Sequence, residues 1–278
     1  MPRIVARTLV FVLVVLGVSR YRKALGASLV IDHNSSHTAL YGMNKLLTLP
    51  RSAVAPAANK NTMNFDVART QMLGQQLRAW EVLDDRVLRA FADTPRERFV
   101  PSDYVELAFA DAEIPLGHGQ AMLAPKIEGR ILQALEIEPI DEVLVVGTGS
   151  GYLTACAARL GRHVTSVDIF PDFATAAQAK IAAAHVRNVE VRTADALTLS
   201  YTARFDAIAV TSAIPELDRR FVEMLRPQGR LFIVVGRAPA MEAQLITLQP
   251  SGTTTTESLF ETVLTPMINA ERPEPFVL

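Results

Sequence analysis
The chain has 278 residues, 49% of them apolar, with 28 Lys and Arg against 29 Asp and Glu and a formal net charge of −1. That length can bury one large core or two small ones, and a near-neutral chain whose basic residues are scattered through its main part gives no electrostatic reason to expect nucleic acid as a partner. The single cysteine, Cys156, excludes a disulfide within the chain, which suits a reducing, cytoplasmic setting; Cys156 itself reads as a small packing residue.

Residues 1–62 differ in character from the rest of the chain. Leu9 to Val18 is a short apolar block, preceded by Arg3 and Arg7 and followed at once by Arg20, Arg22 and Lys23. It falls short of the roughly twenty residues of a membrane span. The leading half suits a signal peptide, but the basic cluster behind it opposes export. Asp32 to Thr62 is polar and reads as disordered linker. A dispensable N-terminal extension, 1–62, is favoured over a membrane anchor, with the main domain running over 63–278.

Within that domain, Val67 to Trp80 carries Met72, Leu73, Leu77 and Trp80 at helical spacing and predicts one amphipathic helix. Asp85 to Phe91 predicts a second, capped by Asp84 or Asp85 and stopped by Pro95. Arg96 to Pro101 reads as an extended or turn segment, a surface ion-pair cluster over a buried Phe99. Leu107 to Pro125, with Gly117, His118, Gly119 and Gln120, reads as a loop able to fold tightly over a ligand. Lys126 to Leu135 is a helix with Ile127, Ile131 and Leu135 inward. This stretch, 63–140, forms a helical preamble and substrate loop.

The rest, 141–278, is organised by Asp141 to Asp168. Val143 to Val146 is an apolar run that reads as a buried parallel strand. Gly147, Gly149 and Gly151 follow, then a helix from Tyr152 to Leu160 stopped by Gly161, then a strand from His163 that ends in Asp168. Strand, glycine loop, helix, strand and acid make one nucleotide-binding unit, with Asp168 about twenty residues after the first glycine, where an acid can accept both ribose hydroxyls. The glycines are spaced G-x-G-x-G, not G-x-G-x-x-G. That favours adenosine without pyrophosphate, and S-adenosyl-L-methionine is the expected cofactor; a bare strand-to-helix turn is the alternative. Phe173 to Ala184 is helical, and Val189 to Arg192 is a strand followed by Asp195. Phe205 to Thr211 is a central strand, with Ser212 at the end where open α/β sheets place ligands. Leu217 to Leu225 is a helix and Arg230 to Val235 a strand. Ala243 to Gln249 and Leu259 to Leu264 are closing antiparallel strands around a flexible loop, Ser251 to Thr256.

Val146-Gly147-Thr148-Gly149-Ser150-Gly151-Tyr152 resembles the loop of the protein-L-isoaspartate O-methyltransferase family. So do Pro95 to Pro101, Ile114 to Gln120, Phe205 to Ile208 with Thr211 to Ala213, and Leu225-Arg226-Pro227 with Gly229-Arg230-Leu231, in the family's order from Met63 onward. The resemblance implies an α/β, Rossmann-like class I S-adenosylmethionine-dependent methyltransferase: a mostly parallel sheet with antiparallel C-terminal strands and an N-terminal helical preamble. It implies methylation of isoaspartyl carboxylates in damaged peptides or proteins, with no metal. Gly147, Thr148, Gly149, Gly151 and Asp168 would bind the cofactor, and Asp195 would meet the adenine amino group, a turn-forming Asp being the alternative there.

The family's loop threonine falls on Ala121 and its active-site serine on Leu123, so both hydroxyls are gone. Gly117, His118 and Gln120 remain nearby, a histidine between glycines reading as a hydrogen-bonded loop residue sooner than a base. Val145 stands where the family has an acid. These departures predict weak or absent isoaspartyl methylation and keep two alternatives open: the same fold with another acceptor, and a non-catalytic protein that binds cofactor or a partner.

Overall fold
The computed structural model describes residues 64–270; the expectations for residues 1–62 lie outside them. Helix α1, Phe65–Gln71, begins at Asn64, whose side chain accepts from the Asp66 and Val67 amides. The expected single helix through Trp80 changes pitch: Met72–Leu77 is a π-helical turn and Arg78–Trp80 a 3-10 turn. Met72 and Leu77 are both fully buried. Five residues apart, they would lie on different faces of an α-helix, which turns roughly 100° per residue; the wider turn points both inward. Trp80 is a correction to the expected inner face. It is 37% exposed, edge-on to Phe260 at 6.4 Å with the Lys126 ammonium 4.3 Å from its ring centre.

Helix α2, Asp85–Asp93, is capped by Asp84, which accepts from the Arg86 amide. A 3-10 turn, Arg96–Arg98, follows Pro95. The loop expected over Leu107 to Pro125 contains a small antiparallel hairpin, β1 (Ile114–Gly117) and β2 (Gln120–Met122), leading into helix α3 (Pro125–Leu135).

The main sheet has seven strands: β3 (Glu142–Val146), β4 (His163–Asp168), β5 (Val189–Thr193), β6 (Phe205–Ile214), β7 (Leu225–Arg237), β8 (Ala240–Leu248) and β9 (Thr254–Glu261). Their order is β5-β4-β3-β6-β7-β8-β9, with β6 central, parallel from β5 to β7 and antiparallel across β7-β8 and β8-β9. Helices α4 (Tyr152–Ala158), α5 (Pro171–Ala183) and α6 (Arg219–Glu223) cross over between strands. The fold is thus Rossmann-like, as the sequence implies.

Period-two alternation explains the apolar run in β3. Val143 and Val145 pack into the core on one face of the sheet; Leu144 and Val146 pack into a second core on the other, with Phe221, Met224 and Leu231. Both faces being covered, the strand has no polar side to show. The flexible loop expected over Ser251 to Thr256 is shorter than its composition suggests, because Thr254 to Thr256 pair with Leu248 to Ile246 as the start of β9. No helix among the described residues is long and apolar enough to cross a membrane.

Candidate functional site
The site forms where β3, β4 and β6 end and the chain turns into helices or loops, the usual place for ligands in an open α/β sheet. A cleft of about 930 Å³, counted out to its open mouth, lies there. Gly147, Gly149 and Gly151 all have positive φ, +89°, +49° and +85°, a conformation that side chains disfavour. A Cβ on Gly147 would stand 2.2 Å from Thr211 Oγ1, and one on Gly151 would stand 2.9 Å from the Ala177 Cβ in α5. Two of the three glycines are therefore required by the protein's own packing, besides any ligand. Thr211 Oγ1 donates to the carbonyls at the end of β3, Val146 and Gly147, at 3.0 Å each. Thr148 turns its hydroxyl inward, 2.7 Å from Ser166 Oγ, leaving main chain toward the cleft.

Asp168 ends β4 and is 6% exposed. Its Oδ2 accepts from the Gly149 amide at 2.8 Å and its Oδ1 from the Phe170 amide at 3.0 Å. Burial pushes this carboxyl above the usual range, while the two amides pull it back. A carboxylate has about four lone-pair positions, so two remain for a pair of hydroxyl donors. Asp195 follows β5 and caps the turn Ala196–Thr198: Oδ1 accepts from the Leu197 amide at 2.9 Å. Its Oδ2 accepts from Asn269 Nδ2 at 2.8 Å. The turn-forming role and a place on the cleft wall coexist in this residue. Ile169, Phe170, Ala194 and Ala196 supply flat apolar wall between the two acids.

The opposite wall comes from β1, β2 and the segment leading into α3. Gln120, Ala121 and Leu123 all line the cleft, and Leu123 is buried. Gly117 and His118 form the hairpin tip. His118 is hydrogen-bonded, as its setting between glycines implies: its Nε2 lies 3.0 Å from Asp172 Oδ2. Val145 does not reach the cleft. It is fully buried in β3, in the core beneath the glycine loop, while its neighbour Val146 lines the wall.

Beneath the Leu123 wall lies the largest departure from the sequence expectation. Arg96, read there as part of a surface cluster, is 0% exposed and pairs with Glu128, itself 2% exposed. Its guanidinium also donates to the Ala108 carbonyl at 2.8 Å and the Leu123 carbonyl at 2.7 Å, and it lies 4.6 Å from the Tyr152 ring centre. A buried cation requires such compensation. Burial pushes the Glu128 carboxyl up to about 7, with Arg96 pulling the other way. Phe99 is fully buried, as expected.

The residues fit an adenosyl cofactor. A glycine-rich loop, a buried acid with two lone-pair positions for a diol, an apolar wall for a purine and a second acid at its edge match the parts of such a ligand. Six of the lining residues were not expected from the sequence. Phe170 and Phe173 sit just after Asp168, a spacing that could have marked them. Glu128 carries no signal on a helix. Thr265, Met267 and Ile268 line the cleft from a stretch without periodicity; main-chain bonds across Ala213, to Thr265 O at 3.0 Å and from the Met267 amide at 2.8 Å, hold them there.

A family model described as protein-L-isoaspartate(D-aspartate) O-methyltransferase matches residues 68–272. Protein-L-isoaspartate O-methyltransferase 1 of Anaeromyxobacter sp. (strain Fw109-5) is 39% identical over 172 residues, spanning 61% of this chain and 81% of that protein. The protein-L-isoaspartate O-methyltransferase of Koribacter versatilis is 33% identical over 220 residues, 79% of this chain and 99% of that one. Among solved structures, a protein from Plasmodium falciparum assigned as a protein-L-isoaspartate O-methyltransferase, in complex with S-adenosyl-L-homocysteine, superposes with a TM-score of 0.62 at 20% identity. That match covers 73% of this chain and 98% of the other and is a likeness of fold.

Proposed function
The chain belongs to the protein-L-isoaspartate(D-aspartate) O-methyltransferase family, and from that premise we propose that it transfers the methyl group of S-adenosyl-L-methionine to the carboxylate of isoaspartyl residues in damaged proteins. The observation that carries this reading is Asp168, a buried carboxylate fixed by the Gly149 and Phe170 amides with lone pairs left for a diol. Asp168 holds the ribose hydroxyls, and Gly147, Thr148, Gly149 and Gly151 give the cofactor a main-chain cradle. Asp195 receives the adenine amino group on the lone pairs that Leu197 and Asn269 leave.

The cofactor supplies a methyl group activated by a positive sulfur. A bond forms from the substrate carboxylate oxygen to that methyl as the sulfur–methyl bond breaks, and no proton moves. The acceptor is ionised at neutral pH, so the protein's work is to align the two and exclude water. That accounts for a lining in which, among the described residues, no histidine or lysine stands as a base. Partner and place follow: an isoaspartyl-containing protein as substrate, no nucleic acid, and a reducing cytoplasm that suits a lone buried cysteine.

Ala121 and Leu123 favour a second reading. Apolar side chains on the acceptor wall leave substrate oxygens without hydroxyl donors, which suits a different acceptor or binding without turnover. One experiment separates the readings. Purified protein is mixed with labelled S-adenosyl-L-methionine and an isoaspartyl peptide, and methyl ester is measured alongside calorimetric binding of the cofactor. Ester formation supports the first reading, cofactor binding without ester the second, and no binding sinks both.

A further inference from the structure
The hairpin tip reaches across the cleft mouth and makes a defined contact on the far side. Gly117, His118 and Gly119 have φ of +111°, +51° and +69°. Glycine adopts such angles freely; His118, with its Cβ, disfavours them. The conformation aims its ring at α5. The ring stacks on Phe170 with centroids 4.2 Å apart and planes 6° apart, and stands edge-on to Phe173 at 5.3 Å. Its Nε2 meets Asp172 Oδ2 at 3.0 Å. Phe170 is the N-cap of α5, and Asp172 and Phe173 lie in its first turn.

Two further contacts tie this arrangement to the cleft. The Phe170 amide is one of the two groups that hold the Asp168 carboxylate. Leu116, two residues before His118, lies 3.1 Å from where a Cβ on Gly149 would stand, and Gly149 supplies the other amide. The hairpin therefore stacks on one of the residues that fix Asp168 and lies close to the other. Yet the His118 side chain is 45% exposed and that of Asp172 62%, so the contact contributes little to the core.

We infer that His118 is a positioning residue for the cofactor: its stack on Phe170 and its bond to Asp172 clasp the hairpin over the adenosyl end of the cleft and hold the wall against which that group rests. The inference rests on the reading that S-adenosyl-L-methionine occupies this cleft. The clasp acts on retention of the cofactor and not on the transfer step, because a carboxylate acceptor needs no base. Its two halves are separable: the stack uses the ring of His118, the hydrogen bond to Asp172 only one nitrogen.

The test uses the full chain, calorimetry with S-adenosyl-L-homocysteine, steady-state kinetics with an isoaspartyl peptide, and melting without ligand. His118→Gly relaxes the left-handed backbone while removing the ring. It should keep or raise the ligand-free melting temperature, yet weaken cofactor binding about tenfold, the combined effect of one aromatic pair and one hydrogen bond. Asp172→Ala keeps the stack and should cost about threefold, the hydrogen bond alone. In both variants KM for the cofactor rises while kcat at saturating cofactor stays within about twofold of wild type. Wild-type affinity in His118→Gly would overturn the inference. So would a fall in kcat with unchanged KM, which would move His118 to the acceptor side. Failure of the wild-type protein to bind the cofactor would instead sink the reading of the cleft on which the inference stands.

Discussion

The two walls of the cleft are built on different principles. The sheet-side wall is made of main chain and acids. Asp168 is held by the amides of Gly149 and Phe170, and Asp195 by the Leu197 amide and Asn269. The hairpin-side wall is made of side chains over a buried ion pair: Ala121 and Leu123 face the cleft, and Arg96 with Glu128 holds the Leu123 carbonyl from behind. The first wall is fixed mainly by backbone amides, with Asn269 its one side-chain support at Asp195. The second depends on a buried pair of side chains 32 residues apart in the chain.

The strongest way to break that contrast is to remove the buried pair. Glu128→Ala leaves the Arg96 cation inside the protein without its partner, which should cost about 3–5 kcal/mol, measured by denaturant unfolding. If the loss is under about 1 kcal/mol, an ordinary surface-like value, the hairpin wall does not depend on the pair. On the sheet side, Asp168→Ala should leave the fold intact and weaken cofactor binding by about 1–3 kcal/mol, through hydroxyls left unpaired. Unchanged affinity in calorimetry would remove Asp168 from the site.

The facing residues can be tested by restoring hydroxyls. Ala121→Thr with Leu123→Ser should raise the rate on an isoaspartyl peptide roughly ten- to a hundredfold, since a hydrogen bond to a charged group is worth about 1.5–3 kcal/mol. A double variant that binds cofactor and peptide yet gains nothing would shift attention to Val145, in the core beneath the loop. A further effect concerns pH. The Glu128 carboxyl is raised from its ordinary 4.5 to about 7. Between those values the native state keeps a proton that the unfolded chain has released, so this group's contribution to stability is full below about 4.5 and lost as pH rises through about 7. Glu128→Gln cannot titrate; its melting temperature should therefore fall less than that of the wild type between pH 5 and pH 8. Parallel pH profiles would show that burial does not raise this carboxyl.

Legibility follows the same division. The strands, the glycine loop and Asp168 were readable because each is specified within a few neighbouring residues: apolar runs for β3 and β6, glycines where φ is positive, an acid at a strand end. The hairpin wall was not. Arginine is almost never fully buried without a partner, and nothing near Arg96 in the chain announces Glu128. Strands of four and three residues, broken by Pro115 and Gly117, look like a loop. The π-helical turn at Met72–Leu77 escaped for a related reason: its two inward residues are five apart, a spacing that an α-helical pattern does not contain. Thr254 to Thr256 have strand-forming side chains but follow Ser251 and Gly252, and the turn signal masked them.

The segment that closes the cleft comes after every strand of the sheet. Thr265, Met267 and Ile268 line it, Ala213 bridges to Pro266, and Asn269 binds Asp195. During synthesis the glycine loop and both acids emerge well before these partners. A nascent chain that has completed all seven strands still lacks the lining from Thr265, Met267 and Ile268 and one of the hydrogen bonds to Asp195. The full lining of the cleft is therefore assembled only after the last strand of the sheet has been made.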